Sequence, residues 1–164
     1  MSYNVFFISL GCAKNQVNCE QMMATVQHAG HNIVLSPEGA DVAVVNTCGF
    51  LASACEEAID NILEMAELKQ EGRLKKIIVT GCMAQRYKDD VLRELPEVDA
   101  VLGTGSYGDI ALALDEVMSG AALRPCHMGI STTARRAAHV FYPRLHGMPI
   151  SALPRAATTA APIA

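Results

Sequence analysis

Three times along this chain a short, unbroken apolar run ends in a loop that sets a cysteine beside a glycine, and a helix-like stretch follows. The runs are Val5-Phe6-Phe7-Ile8, Val42-Ala43-Val44-Val45 and Ile77-Ile78-Val79; the loops are Gly11-Cys12, Thr47-Cys48-Gly49 and Gly81-Cys82-Met83. Runs this short and this apolar suit strands covered on both faces, the arrangement of a parallel α/β sheet. In such a sheet the loops that follow the strands all open on one edge, where ligands bind. Cysteines 36 and 34 residues apart can therefore meet in one crevice. Cys12, Cys48 and Cys82 together make a metal or iron–sulfur site with one coordination position free. The competing reading is three cysteines that merely pack near strand ends.

The rest of the chain supports alternation of strand and helix. Tyr3–Ser9 reads as the first strand, Asn32–Leu35 as the second, Asp41–Asn46 as the third, Lys76–Thr80 as the fourth and Val98–Leu102 as the fifth. Between them, Val17–His28 has an amphipathic period closed by Gly30. The next helix carries a start signal, with Ser53 as cap and Glu56 completing a capping box. Its stripe is Ile59, Ile62, Leu63 and Ala66, and Gly72 ends it. A helix over about Asp89–Leu95 stops before Pro96, and Tyr107–Met118 is the last. The expected fold class is α/β, a mainly parallel five-stranded sheet flanked by helices.

Composition narrows the function classes. The chain has 164 residues, enough for one domain with a proper core, and half are hydrophobic, with no tryptophan. It has no apolar stretch of membrane-spanning length and no basic leader before an apolar core, so a soluble cytoplasmic protein is expected. Six cysteines without a CxxC pair are not a secreted disulfide framework, and reduced thiols are the default. The net charge of −4 hides a break: residues 1–120 hold all 17 acidic residues and eight of the 13 basic ones. Residues 121–164 have no Asp or Glu, five Arg and five of the seven Pro, a composition open to reading as a nucleic-acid arm.

Other candidates are weaker. Cys19 shares a stripe with Met22, Met23 and Val26, and Cys55 sits four residues before Ile59, so both read as small packing hydrophobes; Cys126 is given no role. A zinc site would need Cys126 or a histidine as fourth ligand, but His28 and His31 flank a helix end and read as surface residues. Glu56, Glu57 and the acids up to Glu71 read as a solvated helix face. Lys14, Asn15, Gln85 and Arg86 lie beside the cysteine loops, where they either line the crevice or face solvent. Gly103-Thr104-Gly105-Ser106-Tyr107-Gly108 matches the dinucleotide fingerprint G-x-G-x-x-G. It follows the last strand rather than the first, and the acidic residue expected about 20 positions on would fall where there are no acids. A tight turn is the plainer reading, with a nucleotide-binding α/β module as the alternative function.

Three blocks carry a family resemblance: Ser9-Leu10-Gly11-Cys12-Ala13-Lys14-Asn15, Val45-Asn46-Thr47-Cys48-Gly49-Phe50 and Val79-Thr80-Gly81-Cys82-Met83-Ala84. In order, over about residues 3–118, they resemble the N-terminal domain of the methylthiotransferases, radical enzymes that insert sulfur and a methyl group into a C–H bond. Asn46 through Ser53 to Ile62, and Leu102-Gly103-Thr104-Gly105, are more similar to the branch that modifies an aspartate of a small-subunit ribosomal protein than to the tRNA-modifying branch, which is the alternative. Ala13 stands where the family often has proline and Cys19 where serine is common; neither touches the three loops. The resemblance implies that Cys12, Cys48 and Cys82 hold an auxiliary 4Fe–4S cluster, three thiolates leaving one iron open to an exogenous sulfur species. It implies a small-subunit ribosomal protein as substrate, no DNA or membrane partner, and a monomer.

The family's second 4Fe–4S cluster, which cleaves S-adenosylmethionine, needs a CxxxCxxC motif. No two cysteines here are three or four positions apart, so the chain alone is expected to be inactive. Met148–Ala164 can be back-translated with permitted codons so that a frame shifted by two nucleotides reads Ala-Tyr-Leu-Arg-Ile-Ala-Glu-Gly-Cys-Asp-Asn-Arg-Cys-Thr-Tyr-Cys, which contains that motif. The expected organisation is therefore a cluster-binding domain over residues 1–120 and a frameshifted, disordered tail over 121–164, whose basic charge has no function.

Overall fold

Every residue of strand β3 (Val42–Thr47) is buried, as a mid-sheet strand must be when helices cover both faces. In a computed structural model that describes residues 1–120, it is joined by β1 (Asn4–Ser9), β2 (Asn32–Val34), β4 (Lys76–Gly81) and β5 (Ala100–Leu102) in one sheet of order β2-β1-β3-β4-β5. All four pairings are parallel, so the expected five-stranded α/β sheet is borne out. The expectations for the tail and for Cys126 fall on residues outside those described. The register sets Ser9 opposite Asn46, and Thr47 opposite Gly81. Strands β1, β3 and β4 therefore end at nearly one level, and their loops leave the sheet side by side.

Alternation along the strands divides the core in two. Val5, Val42, Val44, Ile78 and Leu102 point to the face covered by α1 (Ala13–His28) and α5 (Ile110–Met118). Ala43, Val45, Ile77, Val79 and Val101 point to the opposite face, under α2 (Ala52–Gln70), α3 (Cys82–Arg86) and α4 (Lys88–Glu94). Met22 and Ile62 are fully buried, one on each side, and each such side chain contributes about 1.5–3 kcal/mol. Helix α1 leaves β1 toward one edge of the sheet and α2 leaves β3 toward the other. The winding thus reverses between β1 and β3, and in an open α/β sheet that switch point is where ligands bind.

Several element boundaries differ from the sequence expectation, most of them at the cysteine edge. Helix α1 starts at Ala13, not Val17, with Cys12 as its N-cap. Its polar first turn hides the start, because Asn15 is turned inward and is 1% exposed. The capping box at Ser53 and Glu56 does not form: α2 begins at Ala52 with Leu51 at the N-cap and no side-chain cap. The preceding loop is pressed against Met83, since a Cβ on Gly49 would stand 2.8 Å from the Met83 nitrogen. Helix α3, opened by Cys82, has no counterpart in the periodicity. The last helix is preceded by a 3-10 turn, Tyr107–Asp109.

Candidate metal centre

The three cysteine loops touch one another in sequence. Gly11 has φ +100°, and a Cβ there would stand 2.6 Å from Cys48 Cβ and 3.1 Å from Cys48 Sγ. Gly49 lies against the third loop, where a Cβ would come within 3.0 Å of the Cys82 carbonyl carbon. Glycine is what lets both backbones approach so closely. Further ties hold the strand ends: Leu10 N–H donates to Asn46 O at 2.9 Å and Thr47 Oγ1 donates to Thr80 O at 2.6 Å. The structure thus gathers the loops of Cys12, Cys48 and Cys82 on one edge, flanking the switch point. Among the described residues, no three His, Cys, Asp or Glu side chains close around a single metal ion.

The three thiols differ in environment. Cys12 is exposed; as N-cap of α1 it faces the helix N–H groups, and those of Asn15 and then Lys14 hold its thiol below the ordinary range. Cys48 is buried. Cys82, like Cys12, is exposed; desolvation around its sulfur pushes the thiol up, and the neighbouring Cys48 and Cys12 sulfurs add to that, as expected of like charges brought together. The Tyr107 hydroxyl is buried with no hydrogen-bond partner of normal geometry; burial raises it, and the Cys82 and Cys12 sulfurs raise it further, while Asn18 beside it acts in the opposite sense. Thiolates are the ligands that iron–sulfur clusters take, so the residue type of the three loops fits such a group. Cys12, Cys48 and Cys82 would be the residues to hold such a group, which would supply an iron open to an exogenous sulfur species.

The remaining candidates fall into place. Cys19 and Cys55 are buried as packing residues, and Cys55 Sγ donates to Cys48 O at 3.6 Å. His31 corrects the surface reading: it is 5% exposed, stacked on Tyr3 with ring centroids 5.4 Å apart and 3.7 Å from Asp115 Oδ1. It opens β2 at the far edge of the sheet, so it supplies no fourth ligand; His28 is exposed on the last turn of α1. Lys14, Gln85 and Arg86 are exposed. In the glycine-rich loop, Thr104 N–H donates to Gln85 Oε1 at 3.0 Å, and a Cβ on Gly103 would meet the same oxygen at 2.1 Å. That loop packs on α3 rather than presenting its first amide to a phosphate.

Of the four residues beside the cysteine loops, Asn15 is the one that is buried. Its Nδ2 donates to Leu10 O at 2.9 Å and to Thr47 O at 3.1 Å. One signal could have found it. The stripe Cys19, Met22, Val26 extends back by four positions to Asn15, so the helix buries it on its core face.

Comparison with known proteins shows the family of the chain. Residues 4–103 match the model of the Uncharacterized protein family UPF0004. The chain is 53% identical over 116 residues to a ribosomal protein uS12 methylthiotransferase RimO of Lachnoclostridium phytofermentans, covering 71% of this chain and 26% of that protein. It is 47% identical over 119 residues to the protein so named in Anaeromyxobacter sp. (strain K), covering 73% and 25%. For Clostridioides difficile the identity is 51% over 109 residues, covering 66% and 24%. The chain spans about a quarter of the length of these relatives. The matched stretch contains all three cysteine loops, and the resemblance to the methylthiotransferases is borne out: the chain belongs to the UPF0004 family.

Proposed function

We propose that residues 1–120 are the auxiliary-cluster domain of a ribosomal-protein methylthiotransferase, in which Cys12, Cys48 and Cys82 ligate a 4Fe–4S cluster. The observation that carries this reading is the mutual contact of the three loops through Gly11 and Gly49, at the switch point of the sheet. A bound cluster supplies an iron open to an exogenous sulfur species, to be presented to a substrate radical. The chain's own residues prepare for it. Helix α1 directs N–H groups at Cys12 and favours its thiolate, while Gly11 and Gly49 let the three loops pack against one another. The substrate is an aspartate of a small-subunit ribosomal protein, in line with the uS12 named in the relatives. Without a CxxxCxxC motif this chain does not generate the radical. S-adenosylmethionine and the second cluster belong to longer family members.

Anaerobic reconstitution with iron and sulfide tests the reading. The intact chain should bind about four irons per chain and turn brown, and Cys48→Ala should lose most of that iron and the visible band. Equal iron in both proteins would overturn the assignment. Residues 121–164 are proposed to be an out-of-frame tail. Sequencing the coding DNA decides this directly, because codons that cannot yield the shifted string end the idea.

A further inference from the structure

We propose that Asn15 is the positioning residue of this centre, one buried carboxamide that registers the three cysteine loops against each other before any metal arrives. The role rests on the cluster assignment only in what the loops go on to bind.

Both amide hydrogens of Asn15 are committed, to Leu10 O at 2.9 Å and Thr47 O at 3.1 Å. Leu10 directly precedes Gly11-Cys12, and Thr47 directly precedes Cys48. With Nδ2 fixed between two carbonyls, Oδ1 is held on the other side, where Cys82 Sγ donates to it at 3.9 Å. The three loops therefore converge on a single side chain. Asn15 is itself anchored, because Asn46 Nδ2 donates to its main-chain oxygen at 2.7 Å. Asn15 is 1% and Thr47 0% exposed, so water has little access to replace the donor at Thr47 O, while the bond to Leu10 O is half-buried. Buried acceptors that lose a donor destabilise their surroundings locally, which here means the cysteine edge. Aspartate keeps the shape but lacks both donors, glutamine places them one methylene too far, and alanine removes everything.

The test is hydrogen–deuterium exchange on the whole reduced, metal-free chain, comparing wild type, Asn15→Ala and Asp99→Asn. Asp99 is a control: it ties Lys69, Lys76 and Ile77 N–H at the opposite edge of the sheet. In Asn15→Ala, amides of residues 10–13, 47–50 and 81–84 should exchange at least about fivefold faster, with residues 42–45 unchanged. Asp99→Asn should leave those loops as in wild type. The proposal is overturned if the loops keep wild-type exchange, if protection falls uniformly through β3 and β4, or if Asp99→Asn loosens the loops equally. Iron retention against a chelator is a second readout, expected to shorten at least about fivefold in Asn15→Ala only. If wild type takes up no iron while the exchange pattern holds, the cluster reading fails and Asn15's positioning role stands.

Discussion

Replacing Gly81 with alanine should damage this protein more than any other single added methyl at a glycine with positive φ. Gly81 closes β4 immediately before Cys82, with φ +99° and ψ −165°, a region open essentially to glycine alone, where another residue costs about 1–3 kcal/mol. The added Cβ would stand 2.2 Å from Thr47 O and 2.7 Å from Thr47 N. Both are backbone atoms of the central strand and cannot rotate away, so the ends of β3 and β4 must part. Loosening one buried hydrogen bond there costs about another 1–3 kcal/mol. The sum, about 2–6 kcal/mol, is a large share of the roughly 5–15 kcal/mol that holds a domain together. Gly72 is the control: its φ is +74° but a Cβ there meets nothing within 4 Å, so alanine costs only the backbone conformation, about 1–2 kcal/mol. Urea unfolding of the reduced, metal-free chain measures both. With a slope of about 2 kcal/mol/M, Gly81→Ala should lower the midpoint by about 1–3 M, and Gly72→Ala by under about 1 M. Midpoints of the two variants that coincide would refute the reasoning, because they would show that β3 and β4 do not meet as closely as described.

Other outcomes can be checked in the same chain. Burial alone would raise Asp99, but hydrogen bonds from Lys69, Lys76 and the Ile77 N–H outweigh it and leave the carboxyl below its ordinary 3.8. Its folded pKa is depressed, so its stabilisation is present above about pH 4 and is lost as pH falls through the lower folded value; the stability gap between wild type and Asp99→Asn should close in acid, and a gap that widens there would contradict the sign. In the metal-free chain, iodoacetamide at neutral pH should label Cys12 before Cys82, read by peptide mass spectrometry: both are exposed, but helix N–H groups lower the first thiol while desolvation and the neighbouring sulfurs raise the second. Cys19→Ala and Cys55→Ala should each cost about 1 kcal/mol of stability and leave iron uptake at the wild-type level, because both pack in the core. Loss of iron in either would redraw the ligand set.

What could be read in the residues was what repeats or alternates. Apolar runs of strand length gave a parallel sheet, and the cysteines that follow three of them were identified before any geometry. What misled was local polarity. His31, a polar residue at a helix end, reads as a surface position yet is buried, and Asn15, which the sequence leaves between crevice and solvent, is buried too, since each has partners that only the fold supplies: Tyr3 and Asp115 for one, Leu10 and Thr47 for the other. The Ser53–Glu56 box is a local signal that does not form, because α2 already begins at Ala52 and Ser53 lies inside its first turn.

By itself the sequence determined the class of fold and which thiols stand at strand ends, because period and apolar run length act within a few residues. Strand order is a different matter: that β1 and β3 are neighbours, with the winding reversing between them, depends on contacts between segments more than 30 residues apart. That loops after parallel strands share one edge follows from the fold class, but only the tertiary structure decided that β1, β3 and β4 are neighbours there, that the loops of Cys12, Cys48 and Cys82 touch, and that a single amide reaches all three. Hydrogen bonds of that kind have no signature in local spacing.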